Sequence, residues 1–350
     1  MMFDSIWNSV TLDIGMDLGT ANTLVHVRGK GIMVNEPSVV AINKKTKEIL
    51  AIGSDARKMI GRAPSNVSVI RPLKNGVITD FDTTQAMIRY FIQRVHSMSA
   101  KFLKIPRPRI VIGVPSSVTE VERQAVVDAA KSAGARKVYL VEESLAAAVG
   151  CDLPIEDASG SMIVDVGGGT TDIAVLSLGG IVVGKTLQIA GDQMSQDIIN
   201  YVKHKYNLLI GERSAEDIKI SIGSAYPQKD EKSVILQGRD LLSGLPKSIE
   251  ITGVEVREAI SGSLAQITEA IKDAIEETPP ELLTDLSVAG VTVAGGGAML
   301  RGLDSFWKEK LKLPIMVIDD PMTAVVRGAA KMFDRVDLLE KAQSAWDEII

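Results

Sequence analysis

One short pattern occurs twice in this chain, and that repetition restricts the fold more than any other feature. Met16-Asp17-Leu18-Gly19-Thr20-Ala21-Asn22-Thr23-Leu24-Val25-His26-Val27 lines up with Val164-Asp165-Val166-Gly167-Gly168-Gly169-Thr170-Thr171-Asp172-Ile173-Ala174-Val175. Each copy reads as an apolar strand, an aspartate, a glycine-containing tight turn and a second β-rich strand. Asp17 and Asp165 stand 148 positions apart. A second pair of segments repeats in the same order. Arg109 to Gly150 runs strand (Ile110 to Val114), Pro-Ser-Ser turn, helix (about 120–133), strand (Lys137 to Val141), then an alanine-rich helix after Glu143. Val291 to Ala330 runs strand (Val291 to Val293), Gly-Gly-Gly turn, helix (about 303–310), strand (Ile315 to Ile318), then a helix after Asp320. This alternation predicts an α/β fold of two similar lobes, each a mixed sheet covered by helices.

The unmatched segments predict small inserted subdomains, at about 36–80 in the first lobe and about 192–252 in the second. The first lobe is expected to span 1–155 plus about 325–350, and the second about 156–324. The length of 350 residues suits two such lobes. Apolar residues make up 45% and charged residues 24%, a globular composition; aromatics are only 4%, so the cores must be mainly aliphatic. The net charge of −5 argues against a nucleic-acid binder, which needs a basic face. A single cysteine, Cys151, allows no internal disulfide and fits a reducing cytoplasm. No run of 18 apolar residues is present to cross a bilayer. Met1 to Trp7 has no basic segment ahead of an apolar one, so it is not expected to be a secretory signal. His26, His96 and His204 are scattered without zinc-site spacing, the methionines read as core filler, and Asp334 to Ile350 reads as a peripheral helix with a charged face.

Two Asp-Gly turns brought face to face suggest phosphate chemistry. Small residues let backbone N–H groups approach phosphate oxygens, and Asp17 and Asp165 would hold Mg²⁺ through its retained waters. The chain has neither a G-x-x-x-x-G-K-[ST] loop nor a G-x-G-x-x-G after a strand. One glycine turn alone is simply a hairpin. Three together, at Asp17 to Thr20, Asp165 to Thr170 and Gly295 to Ala298, are a stronger signal.

Two phosphate hairpins related by duplication resemble the actin, sugar-kinase and DnaK-type chaperone superfamily, and most closely its MreB-type bacterial actins. The resemblance is carried by Asp17 to Thr23, Asn35-Glu36-Pro37-Ser38-Val39-Val40-Ala41, Arg71-Pro72-Leu73-Lys74-Asn75-Gly76-Val77-Ile78, Asp165 to Thr171, Gly238 to Leu242 and Gly244 to Lys247. It covers about 12–333. It implies an actin-like (ribonuclease H-like) fold with a nucleotide cleft between the lobes, ATP or ADP with Mg²⁺ as cofactors, and slow ATP hydrolysis coupled to polymerisation. Gly19, Thr20, Ala21 and Asn22 would hold the β- and γ-phosphates from the first lobe, and Gly167, Gly168, Gly169 and Thr170 from the second. Within the segment Glu212 to Lys219, Glu216 and Lys219 would contact ribose and adenine. Gly295, Gly296, Gly297 and Ala298 would lie against the α-phosphate and sugar. Glu143 would orient the attacking water, with Glu142 as the fallback, and Asp165 and Thr170 would complete the catalytic set. The chain departs from the family at Glu142-Glu143-Ser144-Leu145, where a proline and a methionine usually follow the two glutamates. Asp320, at the matching point of the second copy, reads as structural.

The partners implied are further copies of the chain in paired protofilaments, cell-wall synthesis proteins and the inner leaflet of the cytoplasmic membrane, on which the protein would be peripheral. Lys101-Phe102-Leu103-Lys104-Ile105-Pro106-Arg107-Pro108-Arg109 aligns with the loop the family inserts into lipid. Burying Phe102 and Leu103 is worth roughly 1.5–3 kcal/mol each, and each nearby cation about 1 kcal/mol at an anionic surface. One such loop is a weak anchor, and a filament repeats it. Met2, Phe3, Ile6 and Trp7 could add a second apolar foot. The other reading of this fold is a non-polymerising, sugar-kinase-like phosphotransferase, but the 36–80 insert offers no obvious polar sugar pocket. A DnaK-type chaperone would need a peptide-binding domain after residue 333, and an FtsA-like protein would lack the Asn-Glu-Pro-Ser segment.

Overall fold

The structure is a computed structural model that describes residues 12–99 and 107–347. Its centre is a pair of five-stranded sheets with one topology. The first holds β1 (Asp13–Leu18), β2 (Asn22–Val27), β3 (Gly31–Pro37), β4 (Arg109–Val114) and β5 (Lys137–Glu142), in the order β5-β4-β1-β2-β3. The second holds β6 (Ser161–Val166), β7 (Thr171–Ser177), β8 (Gly180–Leu187), β9 (Val291–Ala294) and β10 (Ile315–Val317), in the order β10-β9-β6-β7-β8. In both, the hairpin pairs are antiparallel and the crossover pairs parallel. The two aspartates therefore occupy one topological position. Asp17 pairs with Leu24 and Gly113, and Asp165 with Asp172 and Ala294. The expected hairpin of each copy gains a third strand, β3 or β8.

Each lobe has its own aliphatic core, one built around Met16, Ile112 and Phe91 and the other around Val164, Ile267 and Trp307. A third cluster joins them, running from Val111 and Val141 through the Glu143–Gly150 helix to Ala324, Ala294 and Ile163. At its middle the Glu143–Gly150 and Ala324–Lys331 helices touch backbone to backbone. A Cβ on Gly150 would stand 1.9 Å from the Ala324 carbonyl oxygen, and one on Gly328 would stand 1.7 Å from that of Ala146. Ala146 with Ala324, and Gly150 with Gly328, are each 178 residues apart, so the contact is its own mirror under the repeat. The Ala324–Lys331 helix also presses on β1, where a Cβ on Gly15 would meet the Ala330 nitrogen at 2.5 Å.

The inserts differ. Residues 36–80 form an antiparallel sheet of Ile49–Ile52, Val40–Asn43 and Val67–Ile70 with a short helix, Ser54–Lys58, over a small core of Val39, Ala41, Ala56 and Val67. The second insert combines the Glu212–Ile222 helix with a hairpin of Ser233–Asp240 and Pro246–Thr252. Two long helices lie beyond the sequence reading: Phe81–Ser99, and Gly253–Glu276, which a Thr252–Glu255 capping box starts. Among the described residues no helix is long and apolar enough to cross a membrane. Phe102 and Leu103, with the rest of 100–106, lie outside the described residues, as do Met2, Phe3, Ile6 and Trp7.

Candidate nucleotide site

Four carboxylates gather where β1 and β6 end. Asp17 and Asp165 are the penultimate residues of those strands, Asp172 lies on β7 opposite Asp165, and Glu143 is the first residue of its helix. Gly113 makes room for Glu143. It sits in β4 between Asp17 and Val141, and a Cβ there would come within 3.2 Å of the Glu143 Cγ. Burial pushes Asp17 up to about 7. Burial raises Glu143 well above the carboxylate range, and the charges of Asp172, Asp17 and Asp165 add to it. Asp165 is raised by burial and then by Asp17 and Asp172. Burial brings Asp172 to about 6 against hydroxyl donors on Thr186, at 2.5 Å, and Thr170, and the backbone N–H of Ser116.

The buried Asp165 Oδ1 has no hydrogen-bond partner among the described residues. An unpartnered buried oxygen with three further carboxylates beside it fits a divalent cation. The adjacent Glu142 takes a different partner, the Ser116 hydroxyl, and burial raises its pKa. Ser144, next along, is buried with its hydroxyl unpartnered. Asp320 accepts from the Thr323 hydroxyl at 2.9 Å and so stabilises its own turn.

The glycine turns of the two lobes meet directly. A Cβ on Gly168 would stand 2.6 Å from that of Ala21, and one on Gly169 would stand 2.6 Å from the Thr20 hydroxyl. Gly167 tightens its own turn, donating to the Thr170 carbonyl at 2.9 Å. The first turn is propped from behind by Ser38, whose hydroxyl donates to the Gly19 carbonyl at 2.6 Å and lies 2.9 Å from the Thr23 hydroxyl. Asn22 begins β2 directly after the first turn. The third turn is packed onto Asp165 itself. Gly295 has φ +83°, and a Cβ on it would stand 2.2 Å from Asp165 Oδ1; one on Gly297 would strike the Val166 side chain at 2.3 Å. Gly296 is exposed and Ala298 buried in the 3₁₀ turn that follows.

Glu216 and Lys219 reach the second turn through the start of the Gly191–Tyr206 helix. Gly191 and Asp192 donate backbone N–H bonds to the carbonyls of Gly167 and Gly168, at 3.2 and 2.8 Å. Lys219 Nζ donates to the Gly191 carbonyl at 2.6 Å and to Ser195 at 3.0 Å, and it pairs with Glu216 at 2.7 Å. Burial raises the Glu216 carboxyl, but Lys219 and the Ser195 hydroxyl together hold it below its ordinary value. Glu212 stands apart from this group. It is exposed at the rim, 3.6 Å from Arg71 of the first insert.

A family model described as "MreB/Mbl protein" matches residues 11–341. The chain belongs to the MreB/Mbl family. It is 48% identical over 329 residues to the cell shape-determining protein Mbl of Bacillus subtilis (strain 168), covering 94% of this chain and 98% of that one. With the cell shape-determining protein MreB of Escherichia coli (strain K12) it shares 46% over 330 residues, covering 93% and 94%. MreB5 of Spiroplasma citri bound to ADP superposes with a TM-score of 0.88 at 37% identity, over 94% of this chain and 97% of that one. The MamK double helical filament shares the fold at TM-score 0.77 and 24% identity, covering 93% and 99%. The fold of this family member is thus actin-like.

Four contributors to the site escape a reading of the sequence: Gly113, Asp172, Ser38 and Ser116. Gly113 and Asp172 become visible only through strand register, and Ser38 and Ser116 through contacts between segments distant in the chain.

Proposed function

We propose that the chain binds ATP between its lobes, hydrolyses it slowly, and polymerises on the inner face of the cytoplasmic membrane to organise cell-wall synthesis and maintain rod shape. The observation that carries this reading is the meeting of two glycine turns, one from each lobe, beside four clustered carboxyl groups. The relatives named as cell shape-determining proteins support it, as do the Spiroplasma MreB5 structures bound to ADP and AMPPNP.

In this mechanism Gly19 to Asn22 and Gly167 to Thr170 present backbone N–H and hydroxyl donors to the β- and γ-phosphates. Gly295 to Ala298 flank the α-phosphate and sugar, and Glu216 and Lys219 meet the ribose and adenine. Glu212 belongs to the rim of that subsite. Asp17 and Asp165 would hold Mg²⁺, which would neutralise phosphate and carboxylate charge together. Glu143 aligns the attacking water, and Asp172 steadies Thr170 beside it. Holding these parts takes both lobes, so the bound nucleotide sets the lobe angle and with it the affinity of one subunit for the next. Phe102 and Leu103 are the membrane contact, repeated along the filament.

Electron microscopy of the full chain with Mg-ATP on anionic lipid tests the reading. Filaments lying on the lipid are expected. A lack of filaments together with ATP-dependent phosphorylation of a small molecule would replace it with the phosphotransferase reading.

A further inference from the structure

The segment Arg71 to Ile78 has no part in the chemistry above, yet it spans the cleft. Leu73–Lys74 and Val77–Ile78 pair as a two-stranded hairpin whose tip is Asn75-Gly76. Both tip residues have positive φ, +51° and +75°, the geometry that asparagine and glycine adopt most readily in a two-residue hairpin turn. On its own lobe the tip is seated firmly. A Cβ on Gly76 would stand 2.3 Å from Pro115, and the Gly76 N–H donates to the Thr20 hydroxyl at 2.9 Å.

From that seat the hairpin grips the other lobe at three points. Asn75 Nδ2 donates to Gln188 Oε1 at 3.0 Å. The Asn75 backbone lies against Gly169, where a Cβ would approach the Asn75 Cα to 2.9 Å. Arg71 sends one guanidinium nitrogen to both oxygens of Asp192, at 3.3 Å each, and another to Glu212 at 3.6 Å. Asp192 is the residue whose backbone N–H holds the Gly168 carbonyl, so the arginine pulls on the far side of the same glycine turn.

We propose that Arg71 and Asn75 are positioning residues that latch the second lobe's glycine turn over a bound nucleotide, so that parting this latch limits nucleotide exchange. The inference rests on the ATP-binding reading. Arg71 touches no reacting atom; it acts through Asp192 and the turn. With its side chain 37% exposed, the ion pair is open to screening, which makes exchange salt-dependent.

The test is release of a fluorescent ATP analogue from the full chain, chased with unlabelled ATP at low and high salt. The proteins compared are the wild type, Arg71→Ala, Arg71→Lys and Asp192→Asn. Arg71→Ala and Asp192→Asn are expected to release roughly two- to fivefold faster at low salt, with Arg71→Lys between them and the wild type. High salt should speed the wild type and leave Arg71→Ala nearly unchanged. A loss that is merely structural would not erase the salt response or be partly rescued by lysine. Wild-type release rates in both Arg71→Ala and Asp192→Asn, or an undiminished salt response in Arg71→Ala, would overturn the latch while leaving ATP binding intact. A wild type that binds no analogue would overturn the nucleotide reading and the latch together.

Discussion

Thr20 and Gly169 close the cleft from opposite lobes, with the threonine hydroxyl 2.6 Å from where a side chain on Gly169 would begin. Contact this tight makes the glycine a spacer between the lobes. Gly169→Val should prop the lobes apart without disturbing either core. Isothermal titration should find ATP binding weakened by about tenfold or more, 1.4 kcal/mol per decade, with thermal stability nearly unchanged. Unaltered affinity would show that the turns need not meet when ATP binds.

Glu143 and Glu142 are adjacent in the chain but serve different neighbours, one in the acid cluster and one on Ser116. Glu143→Ala should lower single-turnover phosphate release by about 10²-fold and leave the ATP dissociation constant within a factor of about two. The same substitution at Glu142 should cost far less. A reversed ranking, read by a phosphate sensor, would move the water-orienting role to Glu142.

The acid cluster makes stability depend on pH in an unusual direction. Asp17 at about 7 and Asp172 at about 6 lie above the ordinary aspartate value, so the folded protein holds protons that the unfolded chain gives up. Their stabilising contribution is complete below about pH 4 and is lost as pH rises through about 6 to 7. The metal-free, nucleotide-free protein should therefore lose several degrees of melting temperature between pH 5 and pH 8, where most proteins are level. Asp165→Asn should flatten that slope. A melting temperature that climbs over this range would mean the cluster is neutralised in some other way.

Gly150 and Gly328 form one contact from two sides, each pressed on a carbonyl of the partner helix. Gly150→Ala or Gly328→Ala should each cost about 3 kcal/mol in urea unfolding. The pair should cost less than the sum, because separating the helices for one methyl makes space for the other. Strict additivity would mean that the two sides relax independently.

Membrane contact through Phe102 and Leu103 is tested by liposome flotation. Phe102→Ser/Leu103→Ser should lose most of the floated fraction while keeping ATP binding. Equal flotation would place the anchor elsewhere in the chain.

Much of the architecture was legible because the duplication aligned strands, turns and helices in one order, and both sheets carry that order. The helices at Phe81–Ser99 and Gly253–Glu276 lie outside the repeated pattern, and only their starts, Asp80 ahead of Thr83 and the Thr252–Glu255 box, mark them in the sequence. The three turns were found from glycine spacing, and the structure brings all three to Asp165 or to one another. Asp172 and Gly113 were not, since an aspartate and a glycine inside strands acquire meaning only when register sets them beside Asp165 and Asp17. Arg71 was visible as part of a motif, but its partners lie 121 and 141 residues away, in the other lobe.

The reciprocal seat of Gly150 and Gly328 is what an isologous dimer interface looks like when both partners belong to one polypeptide. Near such an axis the two copies answer to each other, since any change on one side is met by its counterpart on the other. Far from it they are released from that obligation. The chain follows this division, with matched helices at the centre and unlike inserts at the periphery. Symmetry has been kept where the two halves press backbone on backbone and given up in the inserts.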